Sequence, residues 1–231
     1  MDVDHHSDTT SDAAAEVMQT GSPALPIPEH RPTGASLVVL LGVAVAFCGV
    51  MLLHAISSDV DPIREVMSHY ANGSHGRYMS VVFYAFGVTA IAMGFRLRTA
   101  IRWHGLPRIV PGLLGLAGVS LIASGVFEVD RPLAPQTMEE TIHSNAAVAA
   151  FVMTIVAMLL FAVATRDDPR WRSFRWIAAS LAGLAALAAA GTQLAGDRVG
   201  SGAVQRVLAG SVLAWFLLTA LHLRTKAFAR S

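Results

Sequence analysis

The chain alternates between long apolar segments and shorter polar ones. Six of the apolar segments are about 20 residues long, and none of these six contains Asp, Glu or Lys. A helix rises 1.5 Å per residue, so about 20 residues cross the roughly 30 Å hydrocarbon core of a bilayer. The pattern therefore predicts an all-α membrane protein, a bundle of six transmembrane helices. The predicted spans are residues 36–56, 78–97, 109–127, 146–165, 176–195 and 203–223.

The composition agrees with a chain that is solvated mostly by lipid. Hydrophobic residues make up 54% of the sequence and charged residues only 14%, which leaves too little polar surface for a soluble domain of this size. The net charge is +1 and the basic residues are dispersed among the loops, so nucleic acid is not an expected partner. Membrane lipids are the expected partners, and the sequence identifies no protein partner.

The distribution of basic residues predicts the orientation in the membrane. They concentrate after the second, fourth and sixth spans, whereas the alternate loops carry fewer. The positive-inside rule places the Arg-rich side in the cytoplasm. We therefore expect a multi-pass protein of the plasma membrane with both termini cytoplasmic. The basic residues on the predicted cytoplasmic side are Arg96, Arg98, Arg102, Arg108, Arg166, Arg170, Arg172, Arg175, Arg224, Lys226 and Arg230.

The segments outside the spans define the domain organisation. Residues 1–35 are polar and acidic and show no apolar periodicity, which predicts a disordered N-terminal tail. The tail lacks the basic and apolar regions of a signal peptide, so we expect the first span to be retained. The transmembrane domain is then residues 36–226, followed by a short C-terminal tail at 227–231.

Small residues are frequent in the third and fifth predicted spans. Span three carries several Gly and Ser residues, and span five is rich in Ala between residues 178 and 190. Small side chains let helix backbones approach closely in lipid, so these two helices are predicted to be the more buried ones. The alternative is that the Gly and Ala content is compositional.

The first outer loop, residues 57–77, carries the signals of a short helix. Asp61 and Pro62 form a helix start, and Asn72 and Gly73 form a natural stop. Apolar residues recur between them with a helical period, which predicts a short amphipathic helix on the outer membrane surface. The alternative is that its polar residues are only a solvated face. The apolar positions are Ile63, Val66, Met67 and Tyr70, and the polar ones include Arg64, Glu65, Ser68 and His69.

The second outer loop predicts the start of the fourth helix and adds candidate site residues. Thr137 and Glu140 have the spacing of a capping box, which would begin that helix at about Met138. His143 then lies near the outer interface, where Asp130 follows the end of span three and Arg206 lies in the opening turn of span six. These side chains are able to converge in one polar vestibule at the outer leaflet. The candidate site residues are Ser68, His69, Asp130, His143 and Arg206.

Several strings in the chain resemble one known family. They are IREVMSHYANG leading into YMSVVFYAFGVTAIAMGF, then GVFEVD, HSNAAVAAF and GAVQRVLAGSVLAWFLLTALHLR. Over roughly residues 36–226 the chain resembles the bacterial and archaeal membrane proteins of domain-of-unknown-function family 998. The resemblance implies a six-helix bundle and no established activity. The family's pattern would fall on Ser68, Gly125, Phe127, Asp130, His143 and Arg206.

Three classes of function remain open, and whether the protein is an enzyme is not decided. The first is binding of a lipid or small amphiphile in the vestibule, with Arg206 as an anion partner. The second is an intramembrane hydrolase or transferase that uses outer Ser, His and Asp residues, although HExxH and GxSxG are absent. The third is a transporter, restricted to a neutral or apolar substrate because the central thirds of all spans lack Asp, Glu, Lys and Arg; an accessory subunit is the remaining alternative.

No metal and no cofactor are expected. The single Cys48 rules out an intramolecular disulfide and a CxxC redox motif. A lone outer His is more often a satisfied polar residue than a metal ligand. The sequence therefore gives no metal-binding pattern.

Overall fold

The structure, a computed structural model, describes residues 34–101, 104–130, 135–195 and 200–224. These residues form six long α-helices and short connections, and no β-strand occurs among them. Except for Gly34 and Ala35, the predicted N-terminal tail lies outside the described residues, as does the C-terminal tail at 227–231. The disorder predicted for the tails stays a prediction.

All six long helices are long and apolar enough to cross a membrane. The prediction of an all-α fold with six candidate membrane spans is therefore confirmed. The helices are α1 Gly34–Ile56, α2 Gly76–Ala100, α3 Val110–Val126, α4 Met138–Ala164, α5 Arg175–Ala195 and α6 Ser201–His222. Short 3₁₀ helices occupy Met67–Asn72, Leu106–Ile109 and Pro169–Trp171.

Contacts at the helix ends define the topology of the bundle. Arg96, near the end of α2, donates to Ser36 Oγ at the start of α1 over 3.1 Å. Arg206, near the start of α6, donates to His54 near the end of α1 over 2.8 Å. Consecutive helices pack against each other, and α6 returns to pack against α1. The side of the bundle where α1, α3 and α5 end is termed the His54 end, and the opposite side is the Arg96 end.

The burial of the helices differs from the sequence prediction. In the most apolar stretches of α2 and α6, 50% of the residues are buried. The share is 33% for the third span, Leu106–Val126, and only 22% for α5. The prediction that the third and fifth helices are the more buried ones is therefore wrong. The reason is that α2 packs against α1, α3 and α6. In α5 the fully buried alanines, at 178, 182 and 185, form one narrow stripe, while Leu184 and Leu187 are exposed.

The loop between α1 and α2 contains a short helix that begins later than the sequence predicts. The Asp61 carboxylate accepts hydrogen bonds from the backbone of Ile63 at 2.8 Å and of Arg64 at 3.3 Å. It therefore caps a local turn, and the 3₁₀ helix starts only at Met67. Tyr70 is 1% exposed, whereas Ile63 is 58% exposed. The predicted apolar face is therefore not one continuous surface, because Met67 and Tyr70 pack into the bundle whereas Ile63 remains exposed.

The start of α4 agrees with the prediction from the capping box. The helix begins at Met138, and the Thr137 side chain accepts a hydrogen bond from the backbone N–H of Glu140 at 3.2 Å. Because α4 has 27 residues, it is about 40 Å long, which exceeds the hydrocarbon core of a bilayer. Its first turns therefore lie at the polar margin of the bundle, at the His54 end.

Candidate functional site

Two adjoining cavities lie at the His54 end. The larger one, of about 630 Å³, is termed the polar cavity, and the smaller one, of about 180 Å³, is termed the apolar cavity. Phe83 and His143 line both of them. Polar residues lining the polar cavity include Asn72, Arg77, Ser80, Tyr84, Glu128 and Asp130. The apolar cavity is lined mainly by Met79, Val82, Phe86, Leu121 and Phe151, together with Ser68, Ser144 and Gln205.

His143 lies in the second turn of α4, in the wall between the two cavities, and only 3% of it is exposed. Its Nδ1 is 2.6 Å from the carbonyl oxygen of Ser124 in α3. A carbonyl oxygen only accepts hydrogen bonds, so Nδ1 carries the hydrogen. The Ser124 hydroxyl contacts the carbonyl of Ser120 at 3.1 Å and that of His143 at 3.2 Å. The edge of the Phe83 ring packs against the imidazole with 5.3 Å between centroids. These contacts hold the ring in one orientation.

Asp130 organises the loop between α3 and α4. Its carboxylate accepts hydrogen bonds from the backbone N–H of Thr137 at 2.6 Å and from the Thr137 hydroxyl at 3.1 Å. Its backbone N–H donates to Glu140 Oε2 at 2.9 Å, and its carbonyl accepts from Asn72 at 3.0 Å. Asp130 therefore takes the acceptor position that Glu140 would fill in a standard capping box. The carboxylate joins the end of α3 to the start of α4.

Arg206 lies in a different cluster, formed with His54 and Tyr70. Its Nε donates to His54 Nε2 at 2.8 Å, and its Nη2 donates to the Tyr70 hydroxyl at 3.2 Å. Nη1 donates to the carbonyls of Glu65 at 2.8 Å and Gly202 at 3.0 Å. Four of the five guanidinium N–H groups are thus committed within the protein. The Arg206 guanidinium ties α1, the α1–α2 loop and α6 together.

The structure brings only some of the five sequence-predicted site residues together. Ser68 and His143 line the apolar cavity, and Asp130 and His143 line the polar cavity. His69 instead contacts Glu65 Oε2 at 3.1 Å, and neither cavity includes His69 or Arg206 in its lining. The single vestibule expected from the topology is therefore divided into two cavities and a separate Arg206 cluster. A functional role of the five residues stays a prediction.

Sequence reasoning did not select several residues that shape this end of the bundle. Gln205 accepts a hydrogen bond from the Met67 backbone at 2.7 Å and lines the apolar cavity. His54 and Tyr70 complete the Arg206 cluster. One signal was available for His54, because a half-buried arginine needs acceptors and His54 near the end of α1 lies on the same side of the bundle as Arg206 near the start of α6. Ser124 acts through its backbone carbonyl, which no residue type reveals.

The donor set of the described residues does not form a metal centre. No group of three or more His, Cys, Asp or Glu side chains within the described ranges could hold a metal ion. The His143 ring is held by a backbone carbonyl, and the Asp130 carboxylate by Thr137. The arrangement at the cavities is suited to hydrogen bonding with a bound molecule.

Comparison with known proteins identifies a family. Residues 40–222 match the family described as a protein of unknown function (DUF998). This region extends from Leu40 in α1 to the last residue of α6, and so includes all or most of each long helix. No curated protein and no solved structure matches the chain. The match agrees with the resemblance of the sequence strings and supplies no activity.

Proposed function

The chain belongs to the DUF998 family of proteins of unknown function, and we propose that it binds a lipid or another small amphiphile at the His54 end. One observation carries the proposal: a polar cavity of about 630 Å³ and an apolar cavity of about 180 Å³ meet at Phe83 and His143. An amphiphile has the same division into a polar and an apolar part. Its headgroup would occupy the polar cavity, and its apolar part the apolar one.

The polar cavity offers charged partners for a headgroup. Within the described part of the chain, neither the Arg77 guanidinium nor the Glu128 carboxylate has a hydrogen bond or ion pair of its own, and both residues line this cavity. The volume of the polar cavity lies in the range of about 300–1,000 Å³ that is usual for small-molecule sites. Arg206 is a weaker candidate for the anion partner, because most of its donors already bind groups of the protein.

The charge distribution supports an outward orientation of the cavities. Exposed arginines of the Arg96 end include Arg98, Arg108, Arg166 and Arg172, and this end corresponds to the cytoplasmic side under the positive-inside rule. The proposed topology therefore has both termini in the cytoplasm of a cell whose plasma membrane contains the protein. The bound amphiphile would come from the outer leaflet.

Binding is tested by filling the apolar cavity. Ala147 lines this cavity, whereas Ala149 lies two residues further along α4, is exposed and lines neither cavity. Purified protein in detergent would be unfolded thermally in the presence of a panel of lipids. A lipid whose free concentration is about 100 times its Kd raises the free energy of unfolding by about 2.7 kcal/mol. We expect this stabilisation in the native protein and in Ala149→Leu, and its loss in Ala147→Leu.

Two results would contradict the binding proposal. The first is a native protein whose unfolding temperature is the same with every lipid of the panel and which retains no lipid in native mass spectrometry. The second is an Ala147→Leu variant that responds to lipid as strongly as Ala149→Leu does, because the cavity would then be irrelevant to the response.

The shared lining of the apolar cavity supports a second candidate, an acyl hydrolase. Ser68 supplies a hydroxyl nucleophile and His143 a base whose Nδ1–H is oriented by a carbonyl, which is the order of groups in a serine hydrolase. No hydrogen bond joins Ser68 and His143 in the structure, so binding without turnover is the better-supported function. Labelling by a fluorophosphonate probe that is lost in Ser68→Ala would favour the hydrolase.

A further inference from the structure

We infer that the bound amphiphile carries a hydroxyl or N–H group at the boundary between its polar and apolar parts, and that His143 Nε2 accepts the hydrogen bond from this group. The inference rests on the proposed function, because it names a chemical feature of the same ligand. It follows from the position of the imidazole, from its tautomer and from the hydrogen bonds that the neighbouring polar groups already form.

The tautomer of His143 determines which ring atom is available. The 2.6 Å contact with the Ser124 carbonyl assigns the hydrogen to Nδ1. In the neutral ring, Nε2 then presents a lone pair and is an acceptor. Nε2 has no hydrogen-bond partner among the described residues, although the residue is only 3% exposed. Nε2 is not among the described polar side-chain atoms that are sealed off without a partner, so it is open to the cavities and a donor from a bound molecule can reach it.

The position of the ring locates this donor within the ligand. Phe83 and His143 are the two residues that line both cavities, and Phe83 has no polar atom in its side chain. His143 is therefore the polar side chain at the boundary between the cavities. A ligand that spans both cavities would place the junction of its head and tail beside His143, and the donor belongs at that junction.

Most of the other polar groups near this boundary already form hydrogen bonds within the protein. The Ser144 hydroxyl donates to Glu140 at 2.6 Å, and Gln205 Oε1 accepts from the Met67 backbone. Ser124 is bonded to carbonyls of α3 and α4. The Ser68 hydroxyl has no described partner and is able both to donate and to accept a hydrogen bond, so a variant must separate its contribution from that of His143. His143 Nε2 only accepts in this tautomer and is therefore the group that requires a donor.

Two probes that differ only in the donor test the inference. Oleyl alcohol and oleyl methyl ether have the same chain and the same acceptor oxygen, but only the alcohol donates a hydrogen bond. Dissociation constants would be measured for both probes with the full-length protein in detergent. We expect the native protein to bind the alcohol about tenfold more tightly, which is the effect of one hydrogen bond.

Variants of two residues separate the role of His143 from general packing. His143→Asn retains a side-chain N–H near the Ser124 carbonyl and lacks Nε2, so the alcohol and the ether should bind about equally. His143→Phe should behave in the same way, and His143→Asn carries the test if His143→Phe does not fold. Ser68→Ala is the matched control and should preserve the tenfold preference, because the ligand donor binds His143 Nε2 and not the Ser68 hydroxyl; loss of the preference in Ser68→Ala would overturn the inference.

The outcomes distinguish this inference from the proposed function. Equal binding of the alcohol and the ether by the native protein would overturn the inference and leave amphiphile binding intact. If neither probe nor any lipid of the panel binds, the proposed function itself fails.

Discussion

Arg206 near the start of α6 donates a 2.8 Å hydrogen bond from Nε to Nε2 of His54 near the end of α1, across 152 residues of sequence. The His54 Nδ1 atom lies 2.6 Å from the Val50 carbonyl, so Nδ1 carries hydrogen and Nε2 is free to accept. An arginine only donates hydrogen bonds, which requires this neutral tautomer of His54. The contact joins the first and last helices of the bundle.

Replacing Arg206 with lysine should destabilise the bundle despite preserving the charge. A guanidinium reaches His54, Tyr70 and two carbonyls at once, whereas an ammonium lacks this fixed planar fork. We expect Arg206→Lys to lower the free energy of unfolding by about 1–3 kcal/mol. Reversible unfolding in mixed detergent micelles measures it. Arg108→Lys, at an exposed position of the Arg96 end, should have no effect, and equal stability of both variants would contradict the assigned role.

The close approach of α2 and α3 at Gly87 and Gly118 should tolerate no side chain. A methyl group at either glycine would overlap the carbonyl oxygen of the other. Gly118→Ala should therefore cost about 1–3 kcal/mol, as overpacking does in other cores. Gly115→Ala, in the same helix with open space around its Cα, is the control and should be as stable as the native protein. A Gly118→Ala variant as stable as Gly115→Ala would show that the helices are less tightly packed.

The Thr137 cap should determine the stability of the first turn of α4. Its hydroxyl accepts from the Glu140 backbone and donates to the Asp130 carboxylate. Loss of such a cap in Thr137→Ala should cost about 1 kcal/mol, while Thr137→Ser keeps the hydroxyl and should cost much less. Amide hydrogen exchange in residues 138–142 reports the change directly. Unchanged exchange in Thr137→Ala would mean that the cap is not needed.

Asp168 should make the stability depend on pH in the acid range. The hydrogen bond from the Arg170 side chain, 2.8 Å between Nη2 and Oδ2, lowers the pKa of the Asp168 carboxyl. A group with a lowered pKa in the folded state contributes stability above its unfolded pKa, and this stability is lost as the pH falls through the folded pKa. Asp168→Asn, which keeps an oxygen for the cap on the Arg170 backbone, should therefore be less stable than the native protein at pH 7 by about 0.5–1 kcal/mol.

The difference caused by Asp168→Asn should shrink as the pH is lowered below about 4, where an ordinary Asp becomes protonated. Unfolding free energies at several pH values measure it. Asp167→Asn is the control, because both members of its pair with Arg166 are largely exposed and such pairs contribute little. A deficit of Asp168→Asn that is the same at every pH would show that the ion pair is not its cause.

The proposed topology predicts which loops are accessible from outside the cell. In a Cys48→Ala background, Ser74→Cys places a single thiol at the His54 end, and Ser173→Cys places one at the Arg96 end. Both serines are exposed. A membrane-impermeant maleimide added to intact cells should label Ser74→Cys, and should label Ser173→Cys only after the cells are lysed. The reverse pattern would show that the cavities face the cytoplasm.

The sequence alone determined the class of the fold and the number of membrane-spanning helices. In the bilayer core no water is available to bind the backbone N–H and C=O groups. An apolar segment of about 20 residues therefore forms a helix, which pairs these groups within the segment. The start of α4 at Met138 was equally predictable, because the hydrogen bond from the Glu140 backbone to the Thr137 side chain involves only neighbouring residues. Local interactions and the properties of the lipid decide both features.

Only the tertiary structure decided which helix faces meet. In lipid, an apolar residue is equally suited to the outside and the inside of the bundle, so periodicity does not distinguish buried from lipid-facing positions. The burial of α2 and α6, the pairing of His54 with Arg206 and the contact of His143 with Ser124 depend on helix rotation and crossing. The two cavities that meet at His143 exist because these contacts place α2, α3 and α4 around one imidazole ring.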